Sequence, residues 1–302
     1  MTSPKMDPGR AREARAQLIH MVHAGTMGHA TTKRPRLRRT GVAVGSLVSV
    51  SVVAVMAQLN ITAAQAHHTL QRLADISISN SDQKWPGKDE YLKIGRHTWG
   101  GHCVVDVETG AQECNSSARV STFLYIPGDP DNEWVLEGDN EMFPQTNFIE
   151  RAIDGQFGDT PGPDYQDMID HATSGATLYA YVNATYSGAS ASRAESNFVR
   201  LTDALGSEQL PAEKRAMFYA ALTHVSGVSI ERGVKTHDGK VGIAIGRNEL
   251  LRHGIRQEII VSPDSGQVIG SRQISSTAIM GVGPNEIISS STVDRSIVDA
   301  AP

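Results

Sequence analysis

Two histidines and the only two cysteines of the chain lie within one short stretch, at His97, His102, Cys103 and Cys114. If residues 107–110 form a four-residue hairpin loop, Cys103 lies directly opposite Cys114, where the two side chains can approach disulfide distance. The alternative is a metal site, because zinc accepts imidazole and thiolate ligands, although the spacing matches no familiar zinc pattern. We predict a Cys103–Cys114 disulfide, with a metal site that includes His97 and His102, or free thiols, as the alternatives.

An acidic segment follows the cysteines. Residues 128–170 contain twelve Asp or Glu residues and a single basic residue, Arg151. Asp129 and Asp131 offer oxygens to a calcium ion, which needs about six to eight of them converging on one point. Trp134 stands where an EF-hand loop needs glycine, and Asn140 stands where it needs glutamate. We predict a solvated acidic surface, with a cation at Asp129 and Asp131 as the alternative.

Sequence motifs that mark common enzymes are absent. The chain contains no G-x-S-x-G, no H-E-x-x-H, no P-loop and no G-x-G-x-x-G. We therefore predict no catalytic residues and no cofactor, and a binding or sensing role. An exported hydrolase without a recognisable motif is an alternative.

Positive charge is concentrated at the N-terminus. Residues 1–40 carry nine Lys or Arg residues against Asp7 and Glu13, and because the whole chain has a net charge of −5, the remaining residues carry −12. A basic arm beside an acidic body suits either nucleic acid or the anionic inner leaflet of a membrane. The segment after the arm favours the membrane, so we expect no direct binding of nucleic acid.

That segment is apolar and runs for nineteen residues from Gly41 to Leu59 without a formal charge. As a helix it would be about 28 Å long, close to the roughly 30 Å of the bilayer core. Five of the seven residues 33–39 are basic, whereas the first basic residue after the segment is Arg72. The positive-inside rule then predicts a single-pass protein of the cell membrane with a cytoplasmic N-terminus. The alternative is cleavage after Ala66, which ends an A-x-A triplet, and release of a secreted domain.

Within the arm, residues 11–24 have the spacing of a short amphipathic helix. Ala14, Leu18, Met21 and Val22 fall on one face, and the arginines lie elsewhere. A helix that rests on the membrane surface and a helix that docks a cytoplasmic partner both fit this pattern.

The elements that position all these residues follow from periodicity and turn residues. Residues 61–76 are predicted as a helix, 77–88 as a linker and 138–170 as mostly loop. Helices are then predicted over 164–186, 191–205 and 211–224. Strands are predicted over 91–99, 102–107, 111–118, 119–126, 133–136, 228–234, 241–246, 255–261, 267–274 and 286–298.

Strands, then helices, then strands predict an α+β domain in which helices cover an antiparallel sheet. The chain then divides into a cytoplasmic arm (1–40), a transmembrane helix (41–59), a juxtamembrane helix with a linker (60–88) and an extracytoplasmic α+β domain (89–302). A groove between sheet and helices would suit an envelope lipid or peptide.

Several local phrases resemble an uncharacterised family of actinobacterial single-span envelope proteins, often encoded beside extracytoplasmic-function sigma factors. The phrases are RVSTFLYIP at 119–127, GATLYAYV at 175–182, LPAEKRAMFYAALTHVSGV at 210–228 and the hairpin at 239–272. The resemblance implies a signalling role and a cytoplasmic sigma factor bound through residues 1–40. The arm contains no cysteine, which departs from zinc-type anti-sigma factors. The outer domain is also similar in pattern to envelope half-barrel folds.

Overall fold

The computed structural model describes residues 49–79, 84–100, 102–105, 112–115, 119–141, 143–157, 165–188, 190–249, 254–277 and 283–302. Two compact units divide the chain, Met1–Ala64 and Gln65–Pro302. All of the described strands lie in the second unit, and the first described helix begins in the first unit and ends in the second.

Five α-helices lie in the described part of the chain. They are α1 (Ser49–Ser79), α2 (Tyr165–His171), α3 (Gly175–Ala184), α4 (Arg193–Gly206) and α5 (Ala212–Leu222). Two single 3₁₀ turns, Pro144–Thr146 and Ile153–Gly155, flank the sixth strand.

The strands follow in chain order. They are β1 (Tyr91–Trp99), β2 (His102–Val105), β3 (Gln112–Asn115), β4 (Arg119–Pro127), β5 (Trp134–Asn140), β6 (Phe148–Ala152), β7 (Val228–Lys235), β8 (Val241–Glu249), β9 (Ile255–Val261), β10 (Val268–Ile274) and β11 (Ile287–Val298).

Nine of these strands form one open antiparallel sheet in the order β6-β5-β4-β1-β11-β10-β9-β8-β7, and β2 and β3 form a separate hairpin. β1 and β11 are the first and last strands of the domain, and they pair with each other at the centre of the sheet. The pairing runs from Tyr91 opposite Val298 to Trp99 opposite Ser290. The predicted α+β class with an antiparallel sheet is confirmed at this level.

The helices cover one face of the sheet at the β7–β10 half, and we call this the inner face. Leu70 and Leu73 of α1 lie in the same buried cluster as Phe198 of α4, Phe218 of α5 and Ile245 of β8. Because these side chains are at most 2% exposed, the space between helices and strands is filled by protein. A lipid groove in this half of the domain therefore gains no support.

Two sequence predictions in the middle of the chain are wrong. Residues 138–170 were expected to be mostly loop, yet β5 continues to Asn140 and β6 occupies Phe148–Ala152. The helix expected over 164–186 is two helices, because Ser174 caps α3: its hydroxyl accepts the Thr177 N–H, and the Thr177 hydroxyl accepts the Ser174 N–H. This capping box starts a new helix after Ala172.

The apolar segment predicted to cross the membrane lies only partly within the described residues. Gly41 and the residues up to 48 fall outside them, whereas Leu59 lies in α1. Of the helices that the structure describes, none is sufficiently long and apolar to cross a bilayer. The amphipathic segment at residues 11–24 also lies outside the described residues.

Gly175 provides a test of the packing between α3 and α5. A Cβ atom at this position would lie 2.5 Å from the Cβ of Ala220, so Gly175→Ala forces the two helices apart. We expect this substitution to lower the free energy of unfolding by about 1–3 kcal/mol, as overpacking does in other cores. Chemical denaturation monitored by circular dichroism measures it.

Gly206→Ala is the matched control, because a Cβ there meets only a guanidinium nitrogen of Arg96 at 3.7 Å. Alanine at this helical position should be neutral or stabilise the domain by up to about 1 kcal/mol. Equal destabilisation by both substitutions would refute the close approach of α3 and α5.

Candidate functional site: a buried arginine–carboxylate cluster

His97, one of the predicted metal ligands, lies on the outer face of the sheet between a serine and an aspartate. Its Nδ1 is 2.9 Å from Oγ of Ser121, and its Nε2 is 3.2 Å from Oδ1 of Asp294. The ring also meets Phe123 edge-on, with the ring centroids 5.5 Å apart. In the neutral imidazole with its proton on Nε2, Nε2–H donates to Asp294 and Nδ1 accepts the Ser121 hydroxyl proton.

Ser121, His97 and Asp294 combine the residue types of a hydrolytic triad, but their placement differs from one. In a triad, histidine Nε2 faces the serine and backbone N–H groups surround the developing oxyanion. Here Nδ1 faces the serine, Ser121 is only 1% exposed, and β4 is paired on both sides. The three residues therefore connect β1, β4 and β11, and they present no accessible nucleophile.

The hairpin of β2 and β3 has the register predicted from its loop length. Cys103 is opposite Cys114, with Val104 opposite Glu113 and Val105 opposite Gln112. The structure describes only the backbone at these positions, so the disulfide stays a prediction, and the side chain of His102 is likewise outside the description.

Asp129 and Asp131 lie in the turn between β4 and β5. Asp129 accepts the N–H of Asp131 at 3.1 Å and lies 3.4 Å from Nζ of Lys88. The Asp131 N–H, followed by the nearby Lys88 ammonium, holds the pKa of Asp129 below its usual value. In the part of the chain that the structure describes, no three His, Cys, Asp or Glu side chains are arranged to hold a metal ion.

The strongest concentration of unusual chemistry lies elsewhere, where the α4–α5 connection meets the centre of the sheet. Five charged side chains from four elements and one loop approach each other there. We call this set the arginine–carboxylate cluster, and its members are Arg96 (β1), Asp203 (α4), Glu208 (the α4–α5 loop), Arg215 (α5) and Arg295 (β11).

Glu208 is the most constrained member. It is 2% exposed, and its φ of 57° lies in the left-handed region, which is costly for a residue with a side chain. Its Oε1 accepts the backbone N–H of Val268 at 2.8 Å, which fixes the start of β10. Burial raises the pKa of Glu208, although Arg215, Arg295 and Arg96 all act in the opposite direction. A strained, buried acid of this kind is typical of a functional position.

Asp203 lies one helical turn from the end of α4 and is affected by the same environment. Burial raises its pKa to about 7, and the Arg96 charge opposes that shift only partly. Arg96 itself donates through Nη2 to the backbone carbonyl of Gly206 at 2.7 Å, where α4 ends. Asp203 therefore exchanges its proton near neutral pH, where a carboxyl is normally ionised.

Arg215 joins the cluster to the turn between β9 and β10. It is 3% exposed, and its Nη2 donates to the carbonyl of Leu210 at 3.3 Å. Its neighbour on α5, Tyr219, donates to the carbonyl of Gly266 at 2.7 Å, and burial raises the pKa of this phenol. The α5 helix is thus anchored by polar contacts at the edge of the apolar core.

Arg295 connects the cluster to the segment that follows α1. Its Nη2 donates to the backbone carbonyl of Lys84 at 2.9 Å, and its guanidinium lies 5.2 Å from the centroid of the Trp85 ring. Burial lowers the pKa of Arg295, whereas Glu208 raises it. The linker after α1 is therefore held by Arg295, which also interacts electrostatically with the buried Glu208.

As a result of this environment, the net charge of the cluster changes when one of its carboxyl groups takes up or releases a proton. Three guanidinium groups remain positive, while Asp203 and Glu208 can each be neutral or negative. Protonation or ionisation of either carboxyl changes the local charge near the end of α4, near the start of β10 and near the linker contact.

Sequence reasoning missed this cluster entirely. Its members are spread from residue 96 to residue 295, and no short motif joins them. The nearest local feature is that Glu208 lies in a short connection between Gly206 and Pro211, which by itself does not indicate a buried acid.

Comparison with known proteins gives little. No family model matches the chain, and no curated protein matches it. Among solved structures, the complex of MucA and MucB from Pseudomonas aeruginosa is similar at 10% sequence identity, over 79% of this chain and 58% of that chain, with a TM-score of 0.27. The match spans less than two thirds of that chain, and a likeness of this strength carries no argument about function.

The raised pKa of Asp203 predicts a pH dependence of stability. In the unfolded chain this carboxyl has its ordinary pKa of 3.8, and in the folded domain it has a pKa of about 7. Between these values only the folded state holds the proton, so stability falls as the pH rises, on the order of 1 kcal/mol per pH unit. Asp203→Asn keeps the neutral form at every pH and should flatten this slope in denaturation curves recorded from pH 4 to pH 8.

Asp167→Asn on the exposed face of α2 is the control and should keep the wild-type slope. Glu208 contributes a dependence of the same sign, so some slope remains in the Asp203 variant. A wild-type domain that becomes more stable through this pH window would contradict the assignment.

Proposed function

We propose that the chain is a single-span membrane protein whose extracytoplasmic domain binds an envelope ligand and whose cytoplasmic arm holds a sigma factor. One observation carries this proposal. The α1 helix includes residues 49–59 of the predicted span and, without interruption, Leu70 and Leu73 of the domain core. A change in the packing of the core therefore has a continuous helix through which to act.

The linker contact adds a second connection between the juxtamembrane segment and the domain. α1 ends at Ser79, and Lys84 and Trp85 then contact Arg295 of the cluster. Buried, charged and partly strained groups are typical of elements with two arrangements of similar energy. We infer that ligand binding shifts the cluster between such arrangements and that α1 conveys the difference.

Binding accounts for the domain better than catalysis does. The Ser121, His97 and Asp294 set is the best catalytic candidate among the described residues, and its hydroxyl is buried within the sheet. The cluster contains three arginines and two acids but lies beneath the α4–α5 connection. We therefore infer that the domain binds a ligand rather than acting as an enzyme.

The arm is tested by deletion in the full-length protein. Removing residues 1–30 takes away the predicted amphipathic helix, whereas removing residues 1–10 keeps it. We expect affinity purification from detergent-solubilised membranes, followed by mass spectrometry, to recover a sigma factor with the full chain and with the shorter deletion. The longer deletion should lose it, while insertion in the membrane stays intact because residues 33–39 and the apolar segment remain.

If the same partner is purified with both deletion variants, residues 11–30 do not hold it, and the proposed role of the arm is refuted. The mass of the purified protein gives an independent check. A chain that begins at His67 would mean cleavage after Ala66 and a secreted binding domain, which contradicts the single-span proposal.

A further inference from the structure

The open sheet ends in two edge strands, β6 and β7, and among the described residues only β7 has the features that protect an edge. β7 has a register shift at Gly233, whose φ is 72°, and it carries Arg232 and Lys235 against Glu231. Bulges and charges on an edge prevent another strand from pairing with it. The β7 edge is therefore ill suited to accept a further strand.

β6 lacks a bulge and exposes apolar surface at the opposite edge. Its five residues pair with β5 in continuous register, from Phe148 opposite Gly138 to Ala152 opposite Trp134. The inward Phe148 is 6% exposed, whereas Ile149 is 53% exposed and Ile153, just after the strand, is 66% exposed. Alternate residues of an edge strand also direct main-chain N–H and C=O groups away from the sheet.

The segment that contains β5 and β6 is rich in acidic residues, of which Glu141 pairs with Arg119 of β4 at 2.6 Å. Residues 131–151 contain six Asp or Glu residues and one basic residue, Arg151, so their net charge is −5. The guanidinium of Arg151 donates to the carbonyl of Pro302, which occupies part of its hydrogen-bonding capacity. The β7 strand, with two basic residues and one acid, has the opposite sign.

We propose that the β6 edge binds an extended cationic segment of a partner polypeptide by strand addition. Main-chain hydrogen bonds to β6 give affinity, apolar side chains at every second position cover Ile149, and Lys or Arg residues face the acidic surroundings. This inference deepens the proposed function, because it names the class of envelope ligand.

Charge distinguishes this occupant from the others. A second copy of the chain would place one acidic edge against another, and like charges directly opposite each other destabilise a strand pair. An anionic lipid headgroup would be repelled by the same carboxylates. A cationic extended peptide satisfies both the main-chain groups and the charge.

The test uses full-length protein in neutral detergent micelles and a fluorescein-labelled peptide of alternating valine and lysine. Fluorescence anisotropy should show saturable binding, and the counterpart with glutamate in place of lysine should not bind. Ile149→Lys should weaken binding by roughly tenfold or more. Ile287→Lys is the matched control, because Ile287 is also 53% exposed and also lies on a strand, and its affinity should stay within about twofold of wild type.

Amide hydrogen exchange locates the bound peptide and checks that the variants are folded. Strand addition should slow exchange at residues 148–152 and leave residues 228–235 unchanged. Absence of saturable binding, equal loss in both isoleucine variants, or protection at β7 instead of β6 would each overturn the proposal. Peptide binding without loss of a partner from the arm deletion would refute the signalling role alone, and the reverse result would refute this ligand alone.

Discussion

The placement of five charged side chains beneath the α4–α5 connection is the constraint on which the rest of the domain depends. Glu208 and Arg215 are buried, and Arg96, Asp203 and Arg295 are partly exposed. Taking ions out of water is costly unless hydrogen bonds and opposite charges compensate, so each member of the cluster has to be held accurately. Glu208 adopts a left-handed backbone to reach the Val268 N–H, and Arg96 reaches the end of α4. In this way the cluster fixes the helices relative to the central strands.

The two halves of the sheet, on either side of the cluster, differ in how they are packed. β7–β10 share a filled apolar core with the helices, which supplies the stability of the domain. Across the cluster, the β6 edge lies at the far end of the other half, with exposed isoleucines and acidic surroundings. From that edge the strand order leads through β5, β4 and β1 to Arg96, and the linker after α1 meets the cluster at Arg295, so a ligand at the edge would be connected to both.

Local patterns in the sequence predicted much of the fold. The Asp238-Gly239 turn and the turn at 262–266 place the C-terminal meander correctly, because glycine and aspartate select hairpin geometries within a few residues. Ser174 shows the limit of periodicity, since the apolar pattern continues through the cap that separates α2 from α3. β6 was missed because five residues between glycine- and proline-containing segments give too short an alternation to recognise.

The arginine–carboxylate cluster could not be predicted from the sequence, for a different reason. Its charges lie on elements separated by up to about 200 residues, and nothing in the local sequence shows that Arg96 and Arg295 meet. Only pairing of β1 with β11 brings them together, and that pairing depends on the whole domain. The residues predicted from the sequence, such as His97 and Asp129, were recognised by residue type and spacing, which do not reveal burial.

If the cluster couples the domain core to the segment after α1, amide hydrogen exchange of Glu208→Gln in the full-length protein should reveal that coupling. Glutamine can still accept the Val268 N–H, but it cannot take up the negative charge that the neighbouring arginines favour. We expect faster exchange at residues 84–90 and in the last two turns of α1, with residues 241–247 of β8 unchanged. Faster exchange confined to residues 206–211 would mean that the cluster stabilises only its own loop and is not coupled to α1.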